Sequence, residues 1–175
     1  MATARSRLLA ATTMVIALAG PALAEDARIE LGKYLVTISG CSDCHTPGGL
    51  LGQPDMARYL GGSDVGFAIP GDGVYYGPNL TPDKETGLGA WTDQQIVAAI
   101  RTGKRPDGRT LSGVMPYPAL SHLTEEDVEG IVAYLRSLPP VKNKVPGPLG
   151  PKDKPSTFVS VVISADQYNG LPAAK

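Results

Sequence analysis

The chain contains 175 residues, with 16 Lys and Arg against 17 Asp and Glu, so its formal net charge at neutral pH is −1. Two of the basic residues, Arg5 and Arg7, lie in an N-terminal segment that has no acidic residue. Residues 25–175 therefore carry 14 basic and 17 acidic groups, a formal charge of −3. A mildly acidic surface disfavours nucleic acids and anionic membranes as partners. The length favours one domain with a tail.

The first 24 residues have the features of a secretory signal peptide. Basic residues precede a short apolar run over residues 8–19, and Ala22-Leu23-Ala24 offers a small-residue cleavage site before Glu25. This run is shorter than the about 20 residues that a membrane-spanning helix needs, although an uncleaved N-terminal anchor is an alternative. We therefore expect a periplasmic protein that begins at Glu25 and has no membrane span after cleavage.

The run Cys41-Ser42-Asp43-Cys44-His45 is a C-x-x-C-H pattern, the attachment signature of c-type haem. Two cysteines about one helical turn apart can form thioether bonds to one porphyrin, and the next histidine can bind its iron. A disulfide is an alternative in an exported chain, but so short a loop would add little stability. A thioredoxin-like pair would need strands alternating with helices, and two cysteines exclude an all-cysteine zinc site.

Hydrophobic periodicity predicts three helices, over residues 26–39, 92–102 and 124–138. Thr92 and Thr124 are expected N-caps, and Gly103 is expected to end the second helix. Gly32 is unfavourable inside a helix, so we expect another helix to cross closely there.

The remaining segments lack helical periodicity. Residues 46–79 predict a long ordered loop with a small hairpin around residues 67–76. Residues 141–175 predict a Pro/Gly-rich tail whose strand-like run, residues 158–163, either packs on the domain or awaits a partner. The expected fold class is therefore all-α, with three main helices around one covalently bound haem in a domain at residues 25–140.

The sixth iron position needs a second ligand, and Met115 is the leading candidate. The neighbouring Pro116 and Pro118 restrict the backbone and would hold its sulfur in place. A thioether favours Fe(II) and raises the reduction potential. Met56 and His122 are rival ligands, and an open site is a further alternative.

Three residues are candidates for supporting the haem. The Pro78 carbonyl, in the turn Gly77-Pro78-Asn79-Leu80, could accept a hydrogen bond from His45 Nδ1, or the turn could be merely structural. Trp91 and Arg101 could bind the propionates through an indole N–H and a guanidinium. The alternatives are core packing for Trp91 and a solvated surface charge for Arg101.

From about residue 31 to residue 140, the order of these motifs resembles that of class I cytochromes c. The resemblance implies that the first and last helices cross where Gly32 faces Tyr134. It also implies a cytochrome c-like fold, with axial ligands His45 and Met115 and with Pro78 and Trp91 in the roles just described.

Three further motifs resemble one haem module of the cytochrome c subunits that serve periplasmic alcohol and gluconate dehydrogenases. They are residues 78–83 (PNLTPD), residues 99–108 (AIRTGKRPDG) and residues 115–117 (MPY). Those subunits commonly carry three C-x-x-C-H motifs and a membrane anchor, whereas this sequence has one motif and we expect no C-terminal anchor.

Three functional hypotheses follow. The first is a mono-haem periplasmic carrier, itself no enzyme, that moves one electron from a dehydrogenase to a cytochrome or oxidase. The second is a subunit held tightly in a dehydrogenase complex through the loop or the tail. The third is a haem enzyme or sensor with an open iron site, although no catalytic motif in the sequence supports it.

Overall fold

The computed structural model describes residues 21–172. Most of the predicted signal peptide, residues 1–20, lies outside the described residues. Three long helices dominate: α1 (Pro21–Ile38), α3 (Asp93–Thr102) and α5 (Glu125–Ser137). The short helices are α2 (Cys41–His45), α4 (Tyr117–Leu120) and α6 (Ala165–Asn169). Within the described part, no helix combines the length and apolar character needed to cross a membrane.

The predicted all-α class is wrong, because the chain also builds a three-stranded sheet of order β2-β1-β3. Strands β1 (Val65–Ile69) and β2 (Gly73–Tyr76) form the predicted hairpin, and β3 (Phe158–Val161) lies parallel to β1. The strand-like run of the tail therefore pairs with the domain. A lone hairpin is only marginally stable, and the third strand stabilises it by adding a second hydrogen-bonded pairing along β1.

The helix boundaries follow from local capping, as predicted. Thr92 Oγ1 accepts a hydrogen bond from Gln95 N at 3.2 Å, and Gln95 Oε1 accepts one from Thr92 N at 2.8 Å. Thr124 and Asp127 form the same reciprocal pair at the start of α5. Gly103, with φ of 70°, ends α3. The two threonine caps satisfy N–H groups that would otherwise lack a partner within the helix, and Gly103 N donates to the carbonyl of Ala99 at the other end of α3.

Helices α1 and α5 cross where two glycines meet. A Cβ added at Gly32 would overlap the carbonyl oxygen of Gly130 and lie 2.8 Å from Tyr134 Cβ. The crossing predicted from Gly32 is therefore confirmed. Beside it lies the buried core, which contains Val36, Leu60, Leu88, Ile96, Ile131, Val132 and Leu135. The crossing brings α1 and α5 together, and α2 follows directly after α1.

The chain after α5 returns over the loop that follows α2. Leu149 and Val74 exchange two backbone hydrogen bonds of 2.9 Å, which extends the pairing at β2. Residues 141–143 contact the turn that contains Pro78. This part of the predicted tail is thus packed against the domain.

Candidate haem-attachment site

The two cysteines lie in α2, a single helical turn that begins after Gly40. Gly40 has φ of 63°, a left-handed conformation that glycine adopts without strain. Cys41 and Cys44 are three residues apart, so both lie on one face of the turn. Both are partly buried free thiols, and no disulfide joins them. The disulfide alternative is therefore not the state that the structure presents.

The environment of the thiols does not activate them. Burial raises the pKa of Cys41 to about 11, and burial together with the nearby Asp43 carboxylate raises the pKa of Cys44. Reactive cysteines of redox enzymes show the opposite shift, because only the thiolate attacks. The pair is therefore a poor candidate for thiol catalysis and is compatible with covalent attachment of a ligand.

His45 is 5% exposed, and its Nδ1 lies 2.8 Å from the carbonyl oxygen of Pro78. A carbonyl only accepts, so Nδ1 carries the proton and the lone pair lies on Nε2. Burial lowers the pKa of His45 more than the Pro78 hydrogen bond raises it, which favours the neutral ring. Neutral imidazole is the form that binds iron.

Within residues 21–172, no hydrogen bond to Nε2 of His45 is found. Among the described residues, no fully buried side-chain nitrogen or oxygen lacks a partner. Nε2 is therefore not completely enclosed by protein, although His45 as a whole is only 5% exposed. The ring is thus oriented by its Nδ1–H, and the lone pair on Nε2 is available to bind a metal.

Gly77 was not predicted to have a functional part, although it precedes Pro78 in the turn. A Cβ at Gly77 would overlap the carbonyl oxygen of Cys44 and lie 3.3 Å from His45 Nδ1. Only glycine therefore lets the turn approach α2 closely enough for the Pro78 carbonyl to reach the ring. The sequence feature that could have indicated this role is a glycine directly before the proline of the turn.

The candidate sixth ligands differ in exposure. Met115 is partly buried, and its backbone is fixed by hydrogen bonds from its N–H to Ser112 O at 3.0 Å and from Tyr117 N to its carbonyl at 2.8 Å. Met56 is 64% exposed, and His122 is exposed. Met115 is the most enclosed of the three, and its role as iron ligand stays a prediction.

Trp91 is partly buried and packs against the hydrophobic core. The guanidinium of Arg105 lies 5.1 Å from the centre of its ring, a distance at which the cation is attracted to the aromatic face. Arg105 was not among the predicted site residues. Its proximity to Trp91 arises from the loop after α3, which no local pattern specifies.

Arg101 is partly buried, and its Nη2 donates to the carbonyl of Leu123 at 2.9 Å. This bond ties α3 to the segment before α5. The guanidinium has other N–H groups, so the bond does not exhaust its donors. The propionate roles of Trp91 and Arg101 stay predictions.

The residues present fit a covalently attached haem. Two free thiols share one face of a helical turn, and the next residue is a neutral histidine with Nε2 available and its tautomer fixed by a backbone carbonyl. This is the donor set that a c-type haem requires.

Comparison with known families agrees with this geometry. The Cytochrome c family profile matches residues 29–139, which is more than half of the chain. The protein therefore belongs to the cytochrome c family, whose members carry covalently bound haem.

Several curated relatives are subunits of larger enzymes. The cytochrome c subunit of alcohol dehydrogenase (quinone) from Gluconobacter oxydans (strain 621H) is 37% identical over 126 residues, which are 70% of this chain and 24% of that subunit. The fructose dehydrogenase cytochrome subunit of Gluconobacter japonicus is 37% identical over 62% of this chain and 21% of the relative. The gluconate 2-dehydrogenase cytochrome c subunit of Pantoea cypripedii is 36% identical over 63% and 23%. The chain thus spans about a quarter of their length.

Proposed function

We propose that this protein is a mono-haem c-type cytochrome that carries single electrons between a periplasmic dehydrogenase and a downstream cytochrome or oxidase. The observation that carries the proposal is the hydrogen bond between His45 Nδ1 and the Pro78 carbonyl, next to two free thiols. A haem bound here would supply reversible one-electron redox chemistry. The protein would act by holding that group and would have no catalytic residue of its own.

Each proposed site residue has one task. Cys41 and Cys44 would form the thioether links, and His45 and Met115 would bind the iron. Pro78 fixes the tautomer and orientation of the His45 ring. The predicted donors to the propionates are Trp91 and Arg101, which are part of the same proposal. Export of the chain by the predicted signal peptide, residues 1–24, would bring it to the compartment where haem is attached.

A second candidate is a subunit that stays bound in a dehydrogenase complex. The relatives named as dehydrogenase subunits support this candidate. A second support is the exposed apolar surface of the tail, where Phe158 is 61% exposed and Val162 is 91% exposed. Such side chains, on the edge strand β3 and directly after it, would provide an attachment surface.

Isolation from native periplasm distinguishes the two candidates. A free carrier is recovered as a monomer that is reduced rapidly by a quinone-dependent dehydrogenase in stopped-flow mixing. A bound subunit copurifies with the larger dehydrogenase protein, and Val162→Asp weakens that association without lowering the melting temperature. If no dehydrogenase reduces the haem protein, both candidate functions are contradicted.

A further inference from the structure

We infer that residues 141–143, which lie beyond the family match at residues 29–139, act as a clasp that positions the His45 imidazole. The clasp binds the turn that contains Pro78 and the chain segment that holds the backbone of His45. This inference rests on the proposed role of His45 as an axial ligand. It assigns the beginning of the tail a function at the iron site.

The first contact joins the clasp to Asn79, the residue after Pro78. Asn79 is 1% exposed, and its Nδ2 donates to the carbonyl of Val141 at 2.7 Å and to Thr86 Oγ1 at 3.0 Å. Its Oδ1 accepts from the backbone N–H of Thr81 at 2.9 Å. The side chain of Asn79 thus fixes the turn internally and joins it to residue 141.

The second contact uses the other backbone group of Val141. Thr81 is fully buried, and its Oγ1 donates to Asn79 Oδ1 at 2.8 Å and accepts from Val141 N at 3.0 Å. Both polar backbone groups of Val141 are therefore bound, one by Asn79 in the turn and one by Thr81 directly after it. A buried polar group that loses its partner is costly, so these bonds hold the turn in one position.

The third contact reaches His45 from its backbone side. Asn143 Nδ2 donates to the carbonyl of Gly61 at 2.8 Å, and Gly62 N donates to the carbonyl of His45 at 2.7 Å. Asn143 N also donates to Thr86 Oγ1 at 3.1 Å, which links this contact to Asn79. The clasp therefore bonds to the turn that binds the His45 ring and to the segment at residues 61–62 that binds the His45 backbone.

The consequence concerns the strength of the bond between His45 Nδ1 and Pro78. A carbonyl held firmly against Nδ1–H increases the electron donation from the ring to its metal, which favours the ferric state. When the clasp is loosened, the carbonyl withdraws. The reduction potential should then rise, and Nδ1–H should become more accessible to exchange with solvent.

The test uses the full-length holoprotein with Thr81→Val, which removes one hydroxyl at constant shape, and Asn143→Ala, which removes the link to Gly61. We expect exchange of His45 Nδ1–H, followed by NMR in the ferrous state, to accelerate about tenfold in both variants. We expect the potential to rise in parallel. Thr81→Ser should restore both values.

Leu149→Ala is the matched control, because Leu149 lies in the same returning segment but pairs with Val74. It should lower the melting temperature without changing either readout. The three variants are compared at equal loss of stability. The proposal is overturned if Thr81→Val and Asn143→Ala change the Nδ1–H exchange rate and the reduction potential no more than Leu149→Ala does. If Thr81→Val does not fold, the Asn143→Ala variant decides the result by the same criterion, because Asn143 is only partly buried. Absence of bound haem in the wild type would instead contradict the proposed function.

Discussion

Gly77 packs against the carbonyl of Cys44, and this contact brings the Pro78 turn to the ring of His45. The glycine has no side chain to separate the turn from α2, and any larger residue would collide with backbone. Two segments far apart in the sequence are thereby joined at His45. The orientation of His45 depends on this approach.

Gly77→Ala should consequently be strongly destabilising. The added methyl group must displace either α2 or the turn, and the His45–Pro78 bond would lengthen with it. We expect a loss of about 3 kcal/mol in the free energy of unfolding, measured by denaturant titration of the holoprotein. Gly147→Ala is the control, since no atom lies within 4 Å of a Cβ at that position. Equal stability of the two variants would contradict this account of the turn.

The two glycines of the helix crossing should respond differently to alanine. Gly32→Ala overlaps the Gly130 carbonyl and should cost about 3 kcal/mol, despite the better helix propensity of alanine. At Gly130 the nearest atoms to a new Cβ lie at 3.2 and 3.3 Å, so a small shift would accommodate it. Gly130→Ala should stay within about 1 kcal/mol of the wild type, because helix propensity offsets the crowding. Thermal unfolding of both variants measures this difference in stability. Equal melting temperatures for Gly32→Ala and Gly130→Ala would contradict the prediction.

Met115→Ala should remove the thioether ligand that we propose. The ferric spectrum should lose the band due to sulfur–iron ligation, and the reduction potential should fall by on the order of 100 mV because the thioether favours Fe(II). Met56→Ala is the matched control, since that side chain is 64% exposed. A changed spectrum in Met56→Ala with an unchanged one in Met115→Ala would transfer the ligand role to Met56.

The loop that carries Arg105 should weaken in acid. The Arg109 guanidinium is the main cause that lowers the pKa of Asp107 to about 2 from its usual 3.8. Because the native carboxyl binds its proton less readily than the unfolded one, the stabilisation is full above pH 3.8 and is lost between pH 3.8 and about 2. Asp107→Asn should remove this part of the acid dependence. The change is small and salt-sensitive, since Asp107 and Arg109 are 43% and 50% exposed. An unchanged acid profile at low ionic strength would contradict the pairing.

Local chemistry made much of the molecule predictable from sequence. Thr92, Thr124 and Gly103 specify helix ends through contacts within a few residues, and the structure confirms each. Gly32 indicated a crossing because a glycine inside a helix needs a packing reason.

Contacts between segments far apart in the sequence were harder to predict. The run at residues 158–163 was recognised as strand-like, but its pairing with β1 depends on where the intervening domain brings the chain. The all-α expectation failed for that reason. Arg105 over Trp91 and the contacts of Asn143 were missed likewise, because each joins segments without a shared local pattern.

The most direct test of the central claim is a pyridine haemochrome spectrum of the protein purified from its native cells, combined with mass analysis of the peptide that contains Cys41 and Cys44. The account predicts the absorption of a c-type haem, and a peptide that retains the haem mass after denaturation with no thiol available for alkylation. A colourless protein whose two cysteines are alkylated freely, or are joined to each other, would contradict it.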